Sequence, residues 1–257
     1  MLQTFTMIVD ADCHLSSQHW DGLSITADEL ISQIDRAGID KALVWLKPPY
    51  NKDIGPENQA VFEATQRYPR RLIGFGWVNP RLGSQQTRDM LKRCFEEYGF
   101  YGVKFNGAQD DYVIDDASVM PWIEQAASYG KVIGFHIGAD FYENTHPYRL
   151  GHIATLYPQT RFLMIHMGGA GKPSLERAAL EVARQHPNIL LIGSAIGERA
   201  ILRAIQELGA NRLSYGSDTP FGLMHVQLAM YQALLRDTPA PDRELILGAN
   251  LCHWLNL

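Results

Sequence analysis

Short apolar runs recur along the whole chain, and each is followed by a polar turn and a stretch with helical periodicity. The runs are Met7–Asp12, Lys41–Leu46, Leu72–Val78, Gly102–Phe105, Val132–His136, Phe162–His166, Ile189–Ile192 and Leu213–Gly216. They are near-continuously hydrophobic rather than alternating, as in Ile73–Val78 and Phe162–Ile165, the pattern of strands buried on both faces. Their spacing is close to the roughly thirty residues that one strand-crossover-strand unit needs, so the sheet is expected to be parallel. Helices are predicted over Ala27–Ala37, Glu57–Arg67, Thr87–Glu97, Ser118–Ser128, Pro147–Tyr157, Pro173–Arg184, Glu198–Leu208 and His225–Leu235, with a last one, Arg243–Leu255, closing one end of the sheet. Their punctuation is consistent: Thr26 with Glu29 three residues on as an N-cap, Pro173 in a first turn, Gly130 and Gly209 beyond helix ends.

Eight such units close into a barrel without an exposed edge, and the 257 residues, 46% of them hydrophobic, suit one sizeable core. The predicted fold is therefore a single α/β domain over residues 1–257, a somewhat distorted (β/α)8 TIM barrel with an extra C-terminal helix. Charge narrows the choice of partner. With 23 basic and 28 acidic residues scattered without blocks, the chain offers no basic face for nucleic acid. Met1–Asp10 has neither a basic region nor a long apolar run, and no later stretch is long enough to span a bilayer, so a cytoplasmic protein with no membrane partner is expected. Cys13, Cys94 and Cys252 lack Cys-x-x-Cys spacing and read as plain thiols.

Reactive groups of this fold project from the C-terminal ends of the strands. There the sequence places Asp12 and His14 after the first run, Lys104 in the fourth, His136 ending the fifth, His166 ending the sixth and Asp218 just past the eighth. Asp12 and His14 have one residue between them, so strand alternation turns both to one face and both reach one ion. A mixed set of imidazole nitrogens and carboxylate oxygens suits a borderline divalent cation such as zinc or manganese. Any one of these residues alone reads more simply as a cap or a hydrogen-bonded loop residue; it is the agreement of several strand ends that points to a metal.

These motifs resemble the amidohydrolase superfamily, specifically its amidohydrolase-related branch of compact barrels. The carriers are Val9–His14, His136, His166–Gly169, Gly216–Pro220 and Ile246–Asn250, in the family's order. The resemblance implies that Asp12, His14, His136 and Asp218 hold one metal ion, that Asp218 also exchanges a proton, and that His166 orients the water or polarises the reacting group. Asp12 stands where the commonest pattern has a histidine, a variant found among the branch's non-oxidative decarboxylases. The added negative charge weakens the ion's Lewis acidity and favours manganese. Lys104 is a candidate to meet an anionic substrate group, and an electrostatic or structural role is preferred for it over a carboxylated lysine bridging two metals. Arg199, past the seventh strand, is a second candidate for a substrate carboxylate.

The main expectation is a hydrolase opening a small cyclic ester or amide, lactones first, with a metal-activated water. The alternative is a metal-dependent decarboxylase of an aromatic or unsaturated acid. A metal-free scaffold is the reading from another class. Gly168–Gly171 lacks the lysine and spacing of a phosphate loop, and close backbone approach beside His166 is its expected use. Trp45, Trp77, Tyr142 and Phe221 are candidates for lining the pocket, and barrel packing is an equal use for them. The partner expected is a small molecule, a homo-oligomer being left open.

Overall fold

The computed structural model describes residues 7–48, 53–138, 141–169 and 172–257. Eight parallel strands pair in sequence order: β1 (Val9–Leu15), β2 (Lys41–Leu46), β3 (Leu72–Val78), β4 (Gly102–Phe105), β5 (Val132–Gly138), β6 (Phe162–Gly168), β7 (Ile189–Gly193) and β8 (Leu213–Tyr215). A parallel bridge between Cys13 and Thr219, with His14 N–H donating to the Thr219 carbonyl at 2.7 Å, joins β1 to the segment after β8. That link closes the barrel at the end where the candidate site lies.

Helices α1 (Ala27–Ala37), α2 (Ile54–Arg67), α3 (Ser84–Lys92), α4 (Met120–Ser128), α5 (Pro147–Leu156), α6 (Pro173–Gln185), α7 (Glu198–Leu208) and α8 (Met224–Leu234) follow the strands in turn. Thr26 and Glu29 form a reciprocal capping box on α1, and Gly38 ends that helix at φ 71°. The apolar stripe of α1, Leu30 and Ile34, is buried against the outer layer of the core, as its spacing requires.

Several expected boundaries move. The first strand does not stop at Asp12 but runs on to Leu15, and the fifth and sixth run past their histidines to Gly138 and Gly168. Polar side chains do not end these strands, because a barrel mouth accepts them while their backbones stay in the ladder: His14 pairs with Trp45 and His136 with Ile165. The segment 87–97 is α3 followed by a π-helical turn over Arg93–Glu97, which places Cys94 and Phe95 in the core. The last expected helix is likewise divided into α9 (Ala240–Glu244), a π-turn over Leu245–Ala249 and α10 (Asn250–Leu255). Gly248 interrupts it with a non-helical backbone (φ 176°, ψ -34°), and a Cβ there would lie 2.5 Å from the Met7 carbonyl oxygen. α10 nevertheless does what the sequence suggests: Leu251, Cys252 and Leu255 join Val9, Leu43, Ile73, Leu163 and Leu190 in the barrel interior.

Candidate metal centre

The interior of β1 changes character within one turn of chain. Val9 and Ala11 belong to the apolar barrel interior, whereas Cys13 and Leu15 pack in the outer layer. Strict alternation would turn Asp12 and His14 outward with Asp10. A bulge between Asp10 and Cys13 shifts the register by one residue, so Asp12 and His14 continue the interior face that Val9 and Ala11 began. Asp10, on the other side of the bulge, accepts the Ser217 N–H at 2.9 Å and the Asp12 N–H at 3.1 Å, tying the bulge to the end of β8.

The chain turns sharply after three further strands. His166 (φ 68°), Met167 (φ 48°), Ala195 (φ 49°) and Asp218 (φ 58°) are left-handed without being glycine. Such conformations are costly, and here they gather at the ends of β6, β7 and β8, around one rim.

The structure brings six of the sequence-chosen residues together. Asp12, His166 and Asp218 each offer a ligand atom within 4.8 Å of the others. His14 Nε2 lies 3.6 Å from Asp12 Oδ1 and 3.5 Å from Asp218 Oδ1. Lys104 Nζ is 4.0 Å from Asp12 Oδ1, and its ammonium lies 3.9 Å over the Trp45 ring and 5.3 Å from that of Trp77. His136 joins through His166, ring to ring at 4.6 Å and nearly perpendicular. Arg199 is exposed in the first turn of α7.

Burial and charge set the protonation states. Burial pushes the Asp12 carboxyl up, yet the Lys104 ammonium, with the His14 and His166 rings beside it, outweighs burial and holds Asp12 below the usual carboxylate range. Burial lowers the Lys104 ammonium, against the pull of Asp12 and Asp218. His136 is driven well below the ordinary imidazole value by burial, then by His166 and Lys104, so it is neutral and offers a lone pair. For His14, burial and Lys104 disfavour the charge, but the adjacent Asp12 and Asp218 carboxylates prevail and its pKa rises.

A divalent cation fits this donor set. Asp12 Oδ1 and His136 Nε2 are buried without a hydrogen-bond partner among the described residues, a costly state for polar atoms that a cation would relieve. His14 Nδ1 lies 2.9 Å from the Leu46 carbonyl, an acceptor only, so this nitrogen carries the proton and the Nε2 lone pair faces the carboxylates.

Several contributors were not chosen from the sequence. Ser194, at the end of β7, bonds both Asp12 and His166; a strand-end serine carries no signal that separates it from a turn residue. Glu57, buried in α2, accepts from Ser17 N–H at 2.8 Å, Ser17 Oγ and Trp20 Nε1, which fixes the loop after β1. Of the four candidate aromatics, Trp45 and Trp77 are wholly buried about Lys104. Phe221 is 46% exposed and stands edge-on to His14 at 5.4 Å, whereas Tyr142 contacts Lys172. In the glycine-rich stretch, a Cβ on Gly168 would meet the Leu175 carbonyl oxygen at 2.5 Å, so backbone does approach closely there; Ala170 and Gly171 lie outside the described residues. The three cysteines are free and buried. Among the described residues no helix is long and apolar enough to cross a membrane.

Known proteins share this fold. The chain is 20% identical over 97% of its length, and 79% of the relative's, to 2-amino-3-carboxymuconate-6-semialdehyde decarboxylase of Dictyostelium discoideum. Among solved structures it is similar to 5-carboxyvanillate decarboxylase from Novosphingobium aromaticivorans, complexed with manganese and 4-hydroxy-3-methoxy-5-nitrobenzoic acid (17% identity, TM-score 0.78, 99% of this chain and 97% of that one). A probable 2-pyrone-4,6-dicarboxylic acid hydrolase from Acinetobacter baumannii with citric acid bound also shares the fold (16% identity, TM-score 0.69, 97% and 99% covered). The amidohydrolase family model matches residues 50–250, which leaves Asp12 and His14 outside the matched segment and carried by their place in the barrel. With that match over most of its length, the chain belongs to the amidohydrolase family.

Proposed function

We propose that this protein is a metal-dependent, non-oxidative decarboxylase of a small aromatic or unsaturated carboxylic acid. The observation that carries the reading is the Lys104 ammonium, sealed between Trp45 and Trp77 and 4.0 Å from Asp12, a fixed cation beside the donor cluster that suits a substrate carboxylate. The decarboxylases among its relatives support it, and manganese in one of them supports the choice of ion.

In this reading Asp12 Oδ1, His14 Nε2, His136 Nε2 and Asp218 hold one divalent cation. When bound, the ion supplies Lewis acidity that anchors an anionic substrate and stabilises negative charge developing on it. Lys104 pairs with the substrate's carboxylate, and Phe221, half exposed above His14, packs against its ring or its conjugated system. Asp218 is the least buried of the carboxylates at the site, with its side chain 14% exposed, so solvent reaches it. It delivers a proton to the carbon that carbon dioxide leaves; the electron pair of the broken C–C bond becomes the new C–H bond. His166 is placed to hydrogen-bond a substrate oxygen beside the reacting carbon, and Arg199 is a rim partner for a second anionic group.

Hydrolysis of a lactone by a metal-activated water, the main expectation from the sequence, is kept as the second reading because of the pyrone hydrolase likeness. One experiment separates them. Manganese-loaded protein is offered hydroxybenzoates and unsaturated dicarboxylates, with carbon dioxide release measured, alongside a lactone panel monitored for acid production. Carbon dioxide from the first set, lost in Asp218→Asn, is expected; turnover of lactones alone would overturn the decarboxylase in favour of the hydrolase.

A further inference from the structure

Ser194, the residue after β7, touches both Asp12 and His166 of the donor cluster. Its side chain is fully buried, its Oγ lies 2.5 Å from Asp12 Oδ2 and 3.0 Å from His166 Nδ1, and its own carbonyl oxygen is 3.3 Å from the same Nδ1. The directions of these bonds are determined by what each group can do. A carboxylate only accepts, so the hydroxyl proton goes to Asp12. The Oγ lone pair then faces His166 Nδ1, and the Ser194 carbonyl, also an acceptor only, faces it too. Both demand a proton on Nδ1.

We propose that Ser194 is a positioning residue: it holds His166 as the Nδ1–H tautomer, leaving Nε2 as the ring's lone pair, and it occupies Asp12 Oδ2 so that Oδ1 is the oxygen offered to a cation. The second half agrees with the burial of Asp12 Oδ1 without a hydrogen-bond partner among the described residues. The serine is itself anchored from outside the barrel. Tyr231 Oη, on α8, donates to the Gly193 carbonyl at 2.6 Å, and a Cβ on Gly193 would lie 2.0 Å from that hydroxyl, so the chain just before Ser194 has little freedom. The following residue, Ala195, is left-handed, which returns the chain to α7 without moving Ser194 from the rim.

The inference concerns the resting side chains and holds whichever reaction the protein runs. It is tested by nitrogen-15 NMR of metal-free protein labelled at histidine, at about pH 8.5 where an imidazole is neutral, with His166→Gln supplying the assignment. His166 is expected to show a protonated Nδ1 in the parent and a mixture of tautomers in Ser194→Ala. Manganese affinity, followed by the electron paramagnetic resonance of the free ion, is expected to fall roughly tenfold in the same variant. A parent spectrum with the proton on Nε2 would overturn the tautomer assignment, and a pure Nδ1–H signal surviving in Ser194→Ala would show that the backbone carbonyl alone sets it and overturn the role given to the hydroxyl. Unchanged manganese affinity would overturn the role given to Asp12. Ser194→Gly serves as a second deletion of the hydroxyl if the alanine variant does not fold, and the parent spectrum decides the tautomer without either.

Discussion

The indole N–H of Trp45 lies 3.1 Å from His14 Nε2, the same nitrogen that looks onto Asp12 and Asp218. An imidazole nitrogen has one lone pair. Trp45 and a cation therefore compete for it, and metal binding at His14 must displace the indole. Replacing Trp45 with Phe keeps a ring in the core and removes the competing donor. Manganese binding is expected to tighten about fivefold, the worth of one neutral hydrogen bond, as read by competition titration against a chelator. Weaker binding would show instead that the indole orients His14 for the ion.

Metal binding should also depend on pH. The two carboxylates facing His14 Nε2 raise its pKa despite burial, so in the metal-free protein a proton and a cation contend for one site. As pH rises through the His14 pKa the proton is lost and affinity increases, approaching tenfold per unit on the acid side. The check is calorimetry in two buffers of different ionisation enthalpy. Proton release on ion binding is expected below the ordinary imidazole value of about 6.5, where the raised pKa keeps His14 charged, and no release there would place the ion away from His14.

Asp10 gives the metal-free fold a pH dependence of its own. Burial, opposed by its hydrogen bonds to Ser217 and to the Asp12 N–H, raises its pKa to about 6 from the ordinary carboxylate value of 3.8. The unfolded chain ionises it more readily, so its ionisation favours unfolding. Its contribution is present below about pH 4 and is lost as pH rises through 6, a difference of roughly 3 kcal/mol. Asp10→Asn removes this dependence. His14 and His136 titrate nearby with opposite signs, so the quantity to measure is the difference in urea stability between parent and variant, from pH 5 to 7.5. The variant should gain on the parent as pH rises; a constant difference would sink the argument.

Much of this site was legible in the sequence because it depends on residue type at strand ends. Asp12, His14, Lys104, His136, His166 and Asp218 are chemically conspicuous, and the rule that barrel strands deliver their last residues to one rim brings them together. The mutual placement was less legible. Asp12 and His14 do share a face, but it is the bulge at Asp10–Cys13 that makes it the interior face, and no residue in Val9–Leu15 announces a bulge. Ser194 and Glu57 were invisible for another reason. Serine and glutamate are ordinary in turns and first helical turns, and only the tertiary fold shows that these two are buried and fully engaged.

Lys104 separates charge from packing. Lys104→Met keeps the aliphatic stem between Trp45 and Trp77 but removes the cation beside Asp12. In the proposed reaction this is expected to raise KM for a carboxylate substrate roughly tenfold or more, the scale of one charge-assisted hydrogen bond. The manganese-loaded variant should leave KM for an uncharged lactone unchanged if any lactone is turned over. An equal effect on both would make Lys104 a structural partner of Asp12 rather than a substrate group.

The turn that carries His166 depends on two glycines in contact. Gly138 ends β5 at φ 75°, where a Cβ would meet the Gly168 carbonyl oxygen at 2.0 Å, and Gly168 ends β6 at φ 96° against the Leu175 carbonyl. Both positions combine a left-handed backbone with a backbone neighbour that cannot rotate away. Gly168→Ala is expected to cost about 2 kcal/mol or more in urea unfolding. Because His166 and Met167 are themselves left-handed, the strain relaxes most easily by turning His166 out of the cluster. Manganese affinity should therefore fall even in the folded variant. A variant destabilised by this amount, yet with parental affinity and an unmoved His166 signal, would show that the glycines serve packing alone.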